Sequence, residues 1–277
     1  MTRKTPFIDE AQVSAMNVDN QKSAVLSQTG SVAGASGSSN EFTDTVVFKS
    51  PVIKPDRAHL EKEKILLPGA SGVVGSPYKI LRTQVMRRME QLGANTLAII
   101  SPHEGAGKTL TAINLAIAIA AETGRTALLV DLDLRNPSIH RRFGFEPKLG
   151  VEDCIRAHRP VQEAMVKIMG YDRLTVLPAK SSIDSSSEIL TEQKAGELVN
   201  ELRTRYANRV IIFDLPPVLQ VDDALAFSRH AQAGLLVVAE GKTGREDVVR
   251  SMNIMQDLKI VGTVLNGARE VEDKYYY

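Results

Sequence analysis

"SPHEGAGKTLTAINLA", Ser101–Ala116, follows directly on the apolar run "LAII" at 97–100, and its reading decides the rest. A short β-forming run, two glycines, a Lys-Thr pair and then apolar residues at helical spacing describe a strand, a tight turn and a helix. Gly105 and Gly107 allow backbone conformations closed to other residues, so that successive N–H groups turn inward as an anion cradle. The helix opening at Lys108 adds the positive end of its dipole. Gly105, Ala106, Gly107, Lys108, Thr109 and Leu110 are therefore the candidate phosphate loop. Lys108 is placed to reach β- and γ-phosphates, and the Thr109 hydroxyl to meet Mg²⁺. The strict pattern has glycine where this chain has Pro102. The plain alternative is a glycine-containing strand-to-helix turn without a ligand.

Further apolar runs lie at 127–130, 174–177, 210–213, 234–239 and 260–265. Helical patterns at about 108–123, 187–206, 221–230 and 244–257 separate most of them. This alternation predicts an α/β fold with a mostly parallel twisted sheet and helices on both faces. Ligands of such sheets bind beyond the carboxyl ends of the strands. Two acidic stretches lie there. "ALLVDLDLRNP" carries Asp131 and Asp133, and "RVIIFDLPPVL" carries Asp214, with Pro216 and Pro217 stopping the strand. A lone strand-end aspartate is often a helix cap or turn residue. Three of them beside a phosphate loop suit a metal–nucleotide complex, because Mg²⁺ takes carboxylate and water oxygens. One carboxylate is then available to accept a proton from an attacking hydroxyl.

Composition narrows the classes. Net charge is +1 with acids and bases interspersed, so the basic footprint of a nucleic-acid binder is missing. Cys154 is the single cysteine, which excludes an internal disulfide framework and points to a reducing compartment. The five histidines are scattered without metal-ligand spacing. No apolar run approaches the ~20 residues of a spanning helix, and the start lacks a signal-peptide apolar stretch. The expectation is a cytoplasmic protein that reaches a membrane through a partner.

Residues 1–50 read as a disordered tail, since "SQTGSVAGASGSSNE" is Ser/Gly-rich and offers no apolar face to offset its ordering entropy. Residues 51–75 read as an arm and linker, 76–268 as the folded domain and 269–277 as a flexible tail. Ser76-Pro77 is a helix-start signal, followed by an apolar face of Tyr78, Leu81, Val85, Met89 and Leu92 and a stop at Gly93.

"GAGKT", "LLVDLDLR" and "IIFDLPP", with "DLRNPSIHRRFG", "LTVLPA", "SSEIL" and "GTVLN" around them, resemble the bacterial tyrosine autokinases of capsule and exopolysaccharide synthesis in their cytoplasmic, separately encoded form. The resemblance spans about 76–277. It implies a P-loop NTPase of the deviant Walker type, ATP and Mg²⁺ as cofactors, and protein-tyrosine phosphorylation. It makes Lys108 and Thr109 the phosphate and Mg²⁺ residues, Asp131 the acceptor of the tyrosine proton and Asp133 and Asp214 the metal pair. Asn266 falls where related ATPases read adenine; the other reading is a turn former. The resemblance also implies a homo-oligomer, a membrane polysaccharide chain-length protein as activator and an opposing tyrosine phosphatase. Two positions depart from the family pattern. Ser76, Lys79 and Arg82 stand where the subunit-contact helix usually has Glu-x-x-Arg-x-x-Arg, and Glu104 stands in the phosphate loop where relatives often have proline.

Half of the six tyrosines are the last three residues, Tyr275, Tyr276 and Tyr277. Bulky aromatics on a chain end make sense as phosphoacceptors, and their flexible segment suits transfer between copies. The plain alternative is a functionless aromatic tail. Tyr78, Tyr171 and Tyr206 read as residues of the domain itself. Two other functions fit the same motifs: an ATP-driven switch of the cell-division or partition type, and a catalytically weak scaffold. The first is disfavoured by His103, which occupies the place of that group's signature lysine. A nitrogenase-type iron protein would need cluster cysteines that Cys154 alone does not supply.

Overall fold

The structure, a computed structural model, describes residues 50–69, 75–191, 193–205 and 209–268. Most of the tail at 1–50 and all of that at 269–277 lie outside the described residues, as does Tyr206.

Among the described residues eight strands form one sheet. They are β1 Val52–Ile53, β2 Thr96–Ile100, β3 Thr126–Asp131, β4 Val166–Ile168, β5 Leu174–Leu177, β6 Arg209–Asp214, β7 Ala233–Ala239 and β8 Ile260–Asn266. Their order is β1-β4-β5-β3-β6-β2-β7-β8. The strands from β5 to β8 run parallel, whereas β4 is antiparallel to β5 and carries β1 parallel to itself. The six apolar runs of the sequence are thus β2, β3, β5, β6, β7 and β8. The two added strands, β1 and β4, are only two and three residues long, too short to write an apolar run.

Both faces of the central strands are covered, which is why their sequences are continuously apolar. Leu97, Ile99, Leu129, Ile212, Leu235 and Val237 point to one core. Ala98, Ile100, Leu128, Val130, Phe213 and Leu236 point to the other. On the first face lie helices α1 Arg57–Lys62, α2 Gly75–Gln91 and α3 Lys108–Ala120. Helix α2 begins at Gly75 and buries Val85, Met86 and Met89. Helix α3 is enclosed on nearly all sides, which fits its uniformly apolar composition. The segment after β3 adds α4 Ile139–Phe143, α5 Val151–Ala157 and α6 Val161–Ala164. The single helical pattern at 187–206 corresponds to α7 Ser186–Thr191 and α8 Gln193–Arg205. Helices α9 Asp223–Ser228 and α10 Arg245–Ile254 complete the α/β alternation.

The segment 50–69, read from sequence as an arm, contributes to the core through Leu60, Ile65 and Leu66. One buried side chain pins it. Asn114, within α3, accepts from the Leu66 N–H at 2.9 Å and donates to the Lys64 carbonyl at 3.0 Å. The Tyr171 hydroxyl donates to the Leu66 carbonyl at 2.8 Å, and burial pushes that hydroxyl's pKa up to about 12. Asn114→Ala leaves two backbone groups without partners, a cost of about 2 kcal/mol or more. Urea unfolding of this variant is expected to show a lowered midpoint, and limited proteolysis to cut first within 50–75; an unchanged midpoint contradicts the pin.

Candidate functional site

Parallel pairing sets β3, β6 and β2 side by side, so their carboxyl ends meet. Asp131 and Asp214 are register partners, and Asp214 also pairs with Ile99 of β2. The turn after β2 is the phosphate loop. Gly105 has φ 77° and Gly107 φ 88°, the left-handed region that favours glycine. Gly107 caps α3, whose first residues Lys108 and Thr109 are buried.

Lys108 Nζ lies 2.7 Å from Asp133 Oδ2, 3.7 Å from Asp214 Oδ1 and 3.4 Å from Thr109 Oγ1. Burial alone would lower the lysine's pKa. The charges of Asp214, Asp133 and Asp131 outweigh it and hold the ammonium above its ordinary value. Asp214 is fully buried, and its two carboxylate oxygens have no hydrogen-bond partner at ordinary geometry. Burial raises its pKa, against the pull of Lys108 and the adjacent Thr109. Asp131 is fully buried as well. Its Oδ2 accepts from the backbone N–H groups of Ser138 and Ile139, both at 3.0 Å, and so caps α4 from a distance; its Oδ1 accepts from the Asp133 N–H at 3.3 Å. Burial and the charge of Asp214 push Asp131 up to about 8, against those N–H groups and Lys108. Asp133 Oδ1 accepts from the Asn136 N–H at 3.2 Å, turning the chain toward α4.

A cavity of about 570 Å³ opens above this cluster. Gly105, Gly107, Lys108, Thr109, Leu110 and Asp133 line it, whereas Asp131 and Asp214 lie behind its wall. The structure therefore brings Lys108, Thr109 and Asp133 together at the cavity, with the register partners Asp131 and Asp214 buried behind them. Asn266 ends β8 against the loop: its Nδ2 donates to the Ala106 carbonyl at 2.9 Å. A Cβ on Gly107 would come 1.9 Å from that nitrogen. Glu104 sits exposed on the rim with Oε1 3.4 Å from Asn136 Nδ2. Lys79 is exposed, while Arg82 donates to the Ala118 carbonyl at 3.2 Å and lies 3.7 Å from Glu122. Arg82 is thus engaged within its own subunit.

Sequence reasoning did not single out Glu63, Arg135, Arg141 or Arg142, which also line the cavity. Arg135 Nε lies 3.1 Å from the buried Asp223, itself held by Ser186. The arginines lie within the quoted "DLRNPSIHRRFG", so a count of charges after Asp133 was the available signal. Glu63 arrives from the arm, and nothing local marks it.

The donor set fits a Mg²⁺–nucleotide complex. An ammonium, a hydroxyl and two carboxylates converge, one carboxylate has both oxygens without hydrogen-bond partners, and the loop backbone approaches with no Cβ in the way. Among the described residues no helix is long and apolar enough to cross a membrane.

The comparisons agree with this geometry. The ParA family, described as "NUBPL iron-transfer P-loop NTPase", matches residues 93–273. Tyrosine-protein kinase YwqD of Bacillus subtilis is 27% identical over 76% of this chain and 89% of its own. Putative tyrosine-protein kinase CapB of Staphylococcus aureus is 25% identical over 74% and 89%. The kinase domain of Escherichia coli tyrosine kinase ETK superposes with TM-score 0.66 at 25% identity, over 74% of this chain and 79% of that one. The Pyrococcus furiosus cell-division ATPase MinD is a more distant likeness, with TM-score 0.54 at 25% identity over 62% and 71%.

Two outcomes are expected. Gly107→Ala strains a left-handed backbone and collides with Asn266, so nucleotide affinity should fall at least about tenfold, roughly 1.4 kcal/mol, in a fluorescent-nucleotide titration; wild-type affinity contradicts this account of the loop. His140, buried in α4, is held below its ordinary pKa of 6.5 chiefly by burial. The unfolded chain therefore takes up a proton below about pH 6.5 that the folded chain refuses, and stability falls as pH drops, by at most about 1.4 kcal/mol per pH unit from this group. His140→Gln should flatten the stability curve between pH 6.5 and 5.5 in urea titrations, and an unaltered slope argues against it.

Its curated relatives are bacterial tyrosine-protein kinases, and the chain itself belongs to the ParA family of P-loop NTPases.

Proposed function

We propose that this chain is an ATP-dependent protein-tyrosine kinase that phosphorylates the C-terminal tyrosines Tyr275, Tyr276 and Tyr277 of another copy, in the service of capsule or exopolysaccharide synthesis. The observation that carries the reading is the cluster of Lys108, Thr109 and Asp133 lining one cavity, with Asp214 directly behind Lys108. The N–H groups from Gly105 to Leu110 and the Lys108 ammonium bind the phosphate chain. Thr109, Asp133 and Asp214 are the residues that would hold Mg²⁺, which would supply charge neutralisation at the transferred phosphoryl group. The tyrosine oxygen bonds to the γ-phosphorus as the bond from that phosphorus to the β–γ bridging oxygen breaks, and ADP leaves. Asp131 takes the phenolic proton. Asn266 is assigned to the adenine side by resemblance to related ATPases, and its Nδ2 is engaged on the Ala106 carbonyl.

The wider reading is a homo-oligomer recruited from the cytoplasm to the membrane by a polysaccharide chain-length protein that activates it, with a tyrosine phosphatase opposing it and no nucleic acid involved. The likeness to MinD keeps an ATPase switch as the second reading. Here His103 takes the place of the switch lysine and pairs with Asp247 at 3.3 Å.

Incubation with labelled ATP and Mg²⁺, followed by phosphotyrosine detection, tests the choice. Label is expected in the wild type, with a drop of about a hundredfold or more in Lys108→Met, since a charge aimed at the transition state is lost. The chain with all three terminal tyrosines changed to phenylalanine should lose the label and keep nucleotide binding. ATP hydrolysis without labelled protein would establish the switch instead, and label persisting in the triple variant would remove the tail from the account.

A further inference from the structure

The cations around the cavity differ in how they are held. Lys108 is paired with Asp133, Arg142 Nη1 with Glu63 at 3.1 Å, and Arg135 with Asp223 at 3.1 Å. Arg141 is exposed and has no carboxylate within 4.0 Å among the described residues. Its Nη2 donates to Asn136 Oδ1 at 2.8 Å, a neutral contact that orients the guanidinium and leaves its charge uncompensated. Its position is fixed from the backbone side too, where the His59 ring nitrogen meets the Arg141 carbonyl at 3.0 Å. Pro216, Pro217 and Val221, with Gln220 beside them, give the same cavity an apolar stretch of lining. The cavity therefore offers a phosphate-binding floor, an apolar side suited to an aromatic ring and one available positive charge at its mouth.

We propose that Arg141 and the Pro217–Val221 wall form a subsite for an acidic tyrosine peptide, and that its occupant is the segment 270–277 of a second copy. The argument is charge complementarity. That segment, "EVEDKYYY", sets three carboxylates, Glu270, Glu272 and Asp273, against one lysine immediately before the tyrosines. A guanidinium pairs with carboxylates two-pronged and is weakly hydrated, so it suits such a peptide better than lysine would. Proline and valine surfaces accept the phenol ring by apolar contact. The assignment rests on the kinase reading above and adds which face of the cavity selects the acceptor.

The test uses the full chain with Glu270, Glu272 and Asp273 all changed to glutamine, so that its own tail does not compete. A fluorescein-labelled EVEDKYYY peptide is titrated by anisotropy, and its phosphorylation is followed in parallel. The acidic peptide is expected to bind about three- to tenfold more tightly than QVQNKYYY, with the advantage shrinking as salt rises. Arg141→Glu should raise the KM for the peptide by a similar factor while the KM for ATP moves much less, and a KVKKKYYY peptide should recover part of the loss. Equal affinity for both peptides, or a KM for ATP that rises as much as that for peptide, overturns the proposal, the latter making Arg141 a nucleotide ligand. Arg141-dependent binding without phosphate transfer leaves the subsite standing and removes the kinase reading, whereas transfer with no acidic preference does the reverse.

Discussion

One ammonium among three carboxylates organises this molecule. Lys108 meets Asp133 directly and Asp214 at longer range, with Asp131 behind them. Taking these groups out of water is costly, and one positive charge does not compensate three negative ones. The remainder is handled in two ways. Burial and the charge of Asp214 raise the pKa of Asp131 to about 8, and its carboxylate leans on two backbone N–H groups. Asp214 is left with unpartnered oxygens. Such a cluster is a poor source of stability and a good receptor for added positive charge. A divalent cation placed there would relieve the carboxylates and leave Lys108 free to meet a phosphate chain. The same electrostatic deficit suits the nucleotide chemistry proposed for the strand ends.

This deficit explains how much was legible in sequence. Lys108, Thr109, Asp133 and Asp214 could be read from their places after apolar runs, because a parallel sheet collects strand ends on one edge. The six long strands were legible for the same reason, being covered on both faces. What sequence did not convey was depth. Asp131 and Asp133 are two residues apart, yet one is sealed under α4 and the other faces the cavity. That difference comes from Ser138 and Ile139, whose N–H groups have no intrahelical partner and take Asp131 as their cap. Strands β1 and β4 were hidden because so few residues leave no period to detect. The arm was hidden because Asn114, whose side chain binds residues 64 and 66, reads locally as a polar interruption of an apolar helix.

The arm also changes what the site is made of. Glu63 follows α1, pairs with Arg142 and lines the cavity. The His59 ring holds the Arg141 carbonyl. Residues well ahead of the phosphate loop therefore position the basic helix α4 at the cavity mouth. Because Asn114 anchors them to the same α3 that begins with Lys108, loop, arm and basic helix form one mechanical unit.

The opposite side of the loop has its own constraint. β8 is an edge strand, paired with β7 alone among the described residues. Its last residue, Asn266, is held by the Glu240 N–H on its carbonyl at 3.0 Å and reaches the Ala106 carbonyl with its amide. Only a residue without a Cβ lets that amide lie over position 107, and only glycine adopts a φ of 88° there at little cost. Two independent demands thus fall on Gly107, and one of them comes from the strand that precedes the tyrosine tail. A displacement of β8 would have to stretch or break the Asn266–Ala106 hydrogen bond at 2.9 Å or carry the loop backbone with it. The candidate phosphate loop and the end of β8 are consequently joined through a single side chain.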